Sequence, residues 1–552
     1  MMPMDLHIHS TFSDGHNTLE EIVQHAIADG MRVIMLVDHV RRSSDWVAAF
    51  SEEIHRLRMR YGKRIAIFSG LEAKFLSTDG DVDITDEQRS HVDFILAAFH
   101  RIPLLHHGTE FDLSAWVRTI LTGCKTRTFD ILAHPTGILH RLSLPVDQSA
   151  VTEVCAALKE ANRWFEFNAR HPIDPETSET VLCSEVGITV ASDAHSISEI
   201  GRKCGVDQEA LMRLVATWCP KFSFVIPVYN EARSIRKVLE SVANQVYPLD
   251  QIEAICSDGG STDGSCDVIA KMDNGSLTVR LLDNPQKIAA AGMNLGIREA
   301  QGDCIIILGA HTLLEPDFLI QNVRAALVSG ADCTGGRHAN LSETRSGQTI
   351  GLAMSSAFGI GGSHYRYSII PSFVDTVAYG AYNSRVFKSI GLFDEEMVRN
   401  QDDEFNYRLL ERGGKFYFDP RIRSQYYARS SLKKLWRQYF LYGCWKVRVM
   451  QKHPRQMRLR QFVPPTFVAA LIGSSMLAVF FPLGRVLLGL VAGSYVLANL
   501  IVSIRTAYKD GWSHLLLLPF AFATLHLSYG LGFLVGLIKF WNRWGDKGTG
   551  LK

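Results

Sequence analysis

Seven short apolar runs fill the first 195 residues, and most of them end on a histidine or an acid: DLHIH, RVIMLVDH, IAIFSGLE, VDFILAAFH, DILAHP, WFEFN and GITVASDAH. This repetition constrains the fold more than any other feature. Between the first two runs, LEEIVQHAIADG sets Leu19, Ile22, Val23, Ala26 and Ile27 at helical spacing, with Gly30 as a stop. Runs that are apolar throughout read as strands covered on both faces, and strands alternating with helices predict a parallel β/α barrel. In such a barrel the active site lies where the C-terminal strand ends converge, which is where these polar residues fall.

His7 and His9 lie two apart on a strand, so both side chains point to one face. Asp14 follows in a Ser/Gly turn. His39, Glu72, His100 and His134 close the next four runs, and Asp193 with His195 closes the last. Imidazoles and carboxylates at this density call for divalent cations, and mixed N/O donors suit Mn, Zn or Fe. A site with several metals brings the pKa of a bound water towards ~7 and clamps a phosphoryl oxygen, so hydrolysis of a phosphate ester is the expected reaction. Arg101, Arg141 and Arg170 follow ligand-bearing strands and read either as holders of a substrate phosphate or as surface residues. His25, His55 and His91 fit no pattern and read as surface positions.

The stretches DLHIHSTFSDG, VDH, GLEAK, AAFH, LAHP and ASDAH resemble, in order, the motifs of the PHP (polymerase and histidinol phosphatase) family from residue 4 to about 205. The resemblance implies a distorted (β/α)7 barrel holding two or three metals. It implies that His7, His9, Glu72 and Asp193 share one metal. Glu72 would bridge to a second on His100 and His134, and Asp14, His39 and His195 would hold a third. The family's substrates run from histidinol phosphate and small nucleotides to nucleic acid 3′ ends and phosphotyrosine on capsule-regulating kinases. A nuclease therefore stands beside the phosphatase as an alternative.

A boundary falls near 205–222, where TWCPK precedes the fresh strand FSFVIPVYNE. We divide the chain into a phosphoesterase domain (1–215), a linker (216–222), a second α/β domain (222–455) and a membrane domain (456–552). FSFVIPVYNEARSI, SDGGSTDGS and NPQKIAAAGMNLGI resemble, in this order, the donor-binding loops of family 2 glycosyltransferases of the Rossmann-like GT-A fold, over about 222–450. QDDEFNYRLLERGGKFYFDP and RQYFLYGCW extend the resemblance to succinoglycan-type exopolysaccharide transferases. It implies a nucleotide-sugar donor, expected to be a UDP-sugar, at Pro227, Glu231, Asp258, Lys287, His311, Gln438 and Trp445. Asp258 suits the N–H of a uracil ring, and Lys287 suits a diphosphate. Inverting transfer needs a carboxylate base, which motif position assigns to Asp402 with Asp403 as rival; alternatively these acids cap the helix they open.

One departure stands out. Where the family's metal-binding D-x-D should end the strand CIIILGAHT, this chain has Gly309-Ala310-His311. Three readings follow: a Mg or Mn site through His311, metal-free stabilisation by basic residues, or a transferase half that has lost activity and serves as a binding module localising the phosphatase.

From Arg421 to Arg460 the chain is rich in Lys and Arg and has no Asp or Glu. Phe462–Phe481, Val486–Ile504 and Leu515–Ile538 then each approach the ~20 residues of a spanning helix. Tyr508, Trp512, Trp541 and Trp544 stand at their edges, as interfacial aromatics do. The net charge of +1 gives no whole-protein reason to expect nucleic acid. Ten cysteines without a C-x-x-C pair point to a reducing compartment. The start of the chain has no signal-peptide pattern. The expectation is a bifunctional, multi-pass inner-membrane protein with its catalytic domains facing the cytoplasm. Its partners would be a nucleotide sugar, a glycan or lipid-linked saccharide acceptor, a phosphate ester and the membrane.

Overall fold

The computed structural model describes residues 2–101, 111–272, 277–342, 344–361, 368–427 and 431–545. The chain forms two compact units. One comprises Met1–Lys221 with Gln245–Gln251 and Leu319–Gly330; the other comprises Phe222–Asn244, Ile252–Phe318 and Ala331–Lys552.

In the first unit, seven strands follow one another in chain order: β1 (Met4–Ile8), β2 (Val33–Val40), β3 (Ala66–Lys74), β4 (Phe94–Ala98), β5 (Ile131–Leu132), β6 (Trp164–Asn168) and β7 (Gly187–Ala191). Every neighbouring pair is parallel. A parallel bridge between Ile8 and Ala194 closes the barrel, and the His9 amide donates to the Ala194 carbonyl at 2.9 Å. The β/α barrel expected from the sequence is therefore present. Its helices start where the chain offers a cap: Thr18 forms a capping box with Glu21, and Asp112, Asp147, Asp174 and Asp207 each accept an amide of the first turn. The linker expected at 216–222 is shorter than that. A helix continues to Trp218, whose indole is fully buried, and the next strand starts at Phe222.

The second unit carries β8 (Phe222–Val228), β9 (Ile252–Asp258), β10 (Thr278–Asp283), β11 (Cys304–Ile307), β12 (Thr312–Leu314), β13 (Cys333–Leu341), β14 (Ser372–Val374), β15 (Ala378–Asn383) and β16 (Phe416–Tyr427). They form one nine-stranded sheet in the order β10-β9-β8-β11-β15-β13-β16-β12, with β14 also paired to β16. The half from β10 to β11 is parallel, and β15 is antiparallel to both its neighbours. Val225, Ile305, Phe387, Phe405 and Phe418 lie in the core beneath it.

Among the described residues three helices are long and apolar enough to cross a membrane: Leu459–Phe480, Pro482–Asp510 and Leu518–Lys539, of 22, 29 and 22 residues. The third is half-buried within the protein, whereas the other two are largely uncovered. The basic helix Leu432–Lys452 packs along the third, where Cys444, Trp445 and Val447 share a core with Phe533 and Phe540.

Candidate metal centre and transferase site

All nine expected metal ligands converge at the C-terminal mouth of the barrel. Glu72 on β3 is the hub. Its Oε1 lies 2.7 Å from His134 Nε2 and 2.9 Å from His100 Nε2; its Oε2 lies 2.9 Å from His39 Nδ1, 3.4 Å from His7 Nε2 and 3.5 Å from His9 Nε2. Asp193 Oδ1 is 3.3 Å from His9 Nε2. Asp14 reaches His39 Nε2 at 3.4 Å and His195 Nε2 at 3.5 Å. Three groups draw their donor atoms within 4.8 Å of one another: His9, Asp14, His39 and His195; His7, His9 and Glu72; and His39, Glu72 and His100.

The fit to divalent cations rests on the donor atoms themselves. His7 Nε2, both ring nitrogens of His9 and Glu72 Oε2 are buried without a hydrogen-bond partner among the described residues. His100 and His134 hydrogen-bond to Glu72 Oε1, whereas the contacts of His7 Nε2 and His9 Nε2 with Glu72 Oε2 lack hydrogen-bond alignment, as expected when lone pairs point to a common centre rather than at each other. Orphaned buried donors and acceptors are costly, and a cation satisfies them together.

Burial disfavours charge on His7, yet the carboxylates of Glu166 and Glu72 hold its pKa well above the usual imidazole value. Burial likewise opposes ionisation of Glu72, but the His7 charge and hydrogen bonds from His100, His134 and His39 hold it well below the carboxylate range. His9 is pushed down to about 4, by burial first and then by the neighbouring His7 and His39, so it stays neutral and keeps a lone pair to donate.

Several residues that position these ligands were not singled out in the sequence. Glu166 on β6 accepts from His7 Nδ1 at 2.9 Å and from the His134 amide at 3.2 Å, and Asn168 Nδ2 donates to it at 2.6 Å. Asp38 accepts from the Ser10 amide at 3.0 Å and from the hydroxyls of Ser10 and Ser13 at 2.6 and 2.5 Å, fastening the turn that carries Asp14. Asp5 ties β1 to the Asp193 loop through the amides of Ser192 and Gly201, both at 2.9 Å. The signal was there: Asp5, Asp38 and Glu166 are acids within the strand runs themselves. Gly15 is required in the same turn, because a Cβ there would come 2.5 Å from the His9 carbonyl oxygen. His134 and Asp193 hold φ values of 30° and 56°, a left-handed backbone that non-glycine residues keep where surrounding contacts over-determine it. Of the three arginines considered for a phosphate, Arg170 is paired to Glu199 at 2.8 Å and Arg141 donates to the His100 carbonyl at 2.9 Å. Arg101 lines a cavity beside the ligands.

In the second unit the expected residues fall into three places. Asp258 ends β9 and accepts from the amides of Gly260 and Ser261, each at 2.9 Å, while its Oδ1 is buried without a hydrogen-bond partner among the described residues. Pro227 lies beside it on β8, opposite Ser257, and Lys287 reaches over Gly260. Glu231 Oε1 meets His311 Nδ1 at 3.3 Å, and the His311 ring packs against Tyr426. Asp402 and Asp403 open the helix Gln401–Glu411. Asp403 is ion-paired with the buried Lys446. Asp402 is exposed at the surface; partial desolvation by the surrounding protein, then the Asp403 carboxylate, pushes its pKa up to about 6. Gln438 Nε2 donates to the Tyr442 hydroxyl at 3.1 Å, and Asn400 donates to the Tyr442 carbonyl at 2.9 Å. Trp445 lies elsewhere, packed on Phe540 beneath the Lys539 ammonium. Residues 309–311 bring no carboxylate, and among the described residues every three-ligand cluster lies in the barrel.

A dolichyl N-acetyl-alpha-D-glucosaminyl phosphate 3-beta-D-2,3-diacetamido-2,3-dideoxy-beta-D-glucuronosyltransferase of Methanococcus voltae is 33% identical over 328 residues, covering 57% of this chain and 97% of that protein. The glycosyl transferase family 2 model matches residues 223–385. The chain belongs to glycosyl transferase family 2. The family 2 chain is also 28% identical over 323 residues to the succinoglycan biosynthesis protein ExoA of Rhizobium meliloti, covering 58% of itself and 96% of ExoA. Its first part matches the PHP domain model over residues 5–170. That part is 27% identical over 208 residues to a probable phosphatase of Edwardsiella ictaluri, covering 36% of this chain and 82% of that protein. A family 2 glycosyltransferase and a PHP phosphatase-like enzyme are thus joined in one membrane-associated chain.

Proposed function

We propose that the family 2 unit transfers a sugar from a nucleotide-sugar donor, a UDP-sugar, to a lipid-linked saccharide or growing glycan at the inner membrane, with both catalytic units facing the cytoplasm. The barrel hydrolyses a phosphate ester. The Methanococcus relative is named for a dolichyl-phosphate-linked sugar, and ExoA for succinoglycan synthesis, which supports an acceptor held at a membrane. Asp258 and Lys287 bind the donor's base and diphosphate. Asp402 removes the acceptor hydroxyl's proton as the sugar carbon is attacked from the far face; a carboxylate raised to about 6 matches that task near neutral pH. Asp403, already occupied by Lys446, positions it.

In the barrel, His7, His9, Asp14, His39, Glu72, His100, His134, Asp193 and His195 hold two or three divalent cations of the Mn, Zn or Fe class. When bound, these supply Lewis acidity towards the phosphoryl oxygens and activate a water. Glu166 and Asn168 fix the His7 ring, and Asp38 and Asp5 fix the loops bearing Asp14 and Asp193. The observation that carries the hydrolase reading is the set of buried, unpartnered donor atoms on His7, His9 and Glu72.

One experiment addresses both halves. Full-length protein in nanodiscs is tested for phosphate release from a panel of phosphomonoesters and short oligonucleotides, and for transfer from UDP-sugars to polyprenyl-phosphate-linked saccharides. Transfer that disappears in Asp402→Asn and phosphate release that disappears in His9→Ala are expected. Oligonucleotide cleavage in place of monoester hydrolysis would make the barrel a nuclease. Absence of transfer with every donor would leave the family 2 unit as a binding module.

A further inference from the structure

Cationic residues follow three of the ligands at or just beyond the ends of their strands. His39 is followed two positions later by Arg41, Glu72 by Lys74, and His100 at the next position by Arg101. A step of two returns a strand's side chain to the same face. His39 pairs with Glu72 and Val40 with Ala73, so the two ligands lie side by side, with Lys74 ending β3 and Arg41 just past the end of β2. The three ligands and the three cations, with Val40, line one cavity of about 220 Å³. That space admits a carboxylate or phosphoryl group and is too small for a folded partner. Lys74 Nζ is steadied 3.3 Å from Asp83 Oδ2, whereas neither Arg41 nor Arg101 has an acidic partner among the described residues. Arg41 and Arg101 thus bring to this cavity two cations that no acid among the described residues neutralises, beside the paired Lys74.

We propose that the barrel's substrate carries a second anionic group, a carboxylate or a further phosphoryl, which Arg41, Lys74 and Arg101 bind beside the ligand cluster. Guanidinium groups make paired, charge-assisted hydrogen bonds to either anion, so the pocket selects the charge and its distance from the scissile ester. This inference rests on the phosphoesterase reading for the identity of the first group only.

Binding separates the two. Calorimetry on full-length protein compares 3-phosphonopropionate with propylphosphonate, which differ by a terminal carboxylate in place of a methyl. Hydrolysis then compares 3-phosphoglycerate with glycerol 3-phosphate, and fructose 1,6-bisphosphate with fructose 6-phosphate, to tell carboxylate from phosphoryl. The anionic member of at least one pair is expected to be preferred by about tenfold or more, the scale of a charge-assisted pair. That ratio should shrink towards one in R41Q and in R101Q, with thermal unfolding run alongside to verify folding. Equal affinity for the two phosphonates together with equal kcat/KM within both ester pairs would overturn the proposal, as would a preference that survives the R41Q/R101Q double variant. Discrimination between the phosphonates with no phosphate released from any ester would count against the hydrolase reading alone.

Discussion

At the residue scale, the His7 ring is fixed from behind: Nδ1 donates to Glu166 Oε2 at 2.9 Å, which turns Nε2 towards Glu72. Partners of this kind orient a ligand ring and raise its basicity. Glu166→Gln is therefore expected to weaken metal binding by about 10–100-fold, read as metal content per chain after dialysis. Unchanged content would mean that packing alone holds the ring. Asp402 offers a second test. Its pKa is raised to about 6, so the base form is lost as pH falls through that value, and transfer should decline with it. Removing the like charge in Asp403→Asn moves this acid limb to lower pH; removing the cation in Lys446→Met moves it higher. A pH–rate profile on kcat/KM reads both signs, and Asp402→Asn should cost about 10²–10⁴-fold in transfer while phosphate release persists. A limb that moves the wrong way in either variant removes Asp402 as the base.

At the scale of elements, glycine lets two helices touch. A Cβ on Gly532 would lie 2.0 Å from the Phe440 carbonyl oxygen, one on Gly443 2.1 Å from that of Tyr529, and one on Gly536 2.4 Å from that of Cys444. The basic helix Leu432–Lys452 and the apolar helix Leu518–Lys539 thus meet backbone to backbone, as small residues permit in apolar surroundings. Overpacking this seam should cost about 1–3 kcal/mol or more. Gly532→Leu is expected to lower the unfolding temperature in detergent. Gly473→Leu, on the first apolar helix with nothing within 4 Å of its Cβ, should not. Equal shifts in the two variants would show that the seam is not close-packed. The same seam explains Trp445: the helix turns that face towards Phe533 and Phe540, where burial of the indole dominates.

At the scale of the whole molecule, the two chemistries make different demands on metal. Ligand clusters among the described residues lie in the barrel, and Gly309-Ala310-His311 supplies no acid to the transferase. Chelation is therefore expected to stop phosphate release and to spare glycosyl transfer, measured on one preparation before and after treatment with a chelator and after adding Mn. Loss of both activities together would place a required metal at the transferase as well. The β/α alternation, the nine side chains that meet at the barrel mouth and the three apolar spans are legible in the residues alone. Each is a local property: burial on both faces makes a strand apolar throughout, strand ends converge in a closed parallel barrel, and span length is counted directly. What depends on neighbours distant in the chain is set by packing. Glu166 reaches His7 across 159 positions, Lys446 reaches Asp403 across 43, and one of three similar apolar helices is half-buried while two are not. Hydropathy and periodicity report what a residue prefers to face; which partner stands there is fixed when the elements pack.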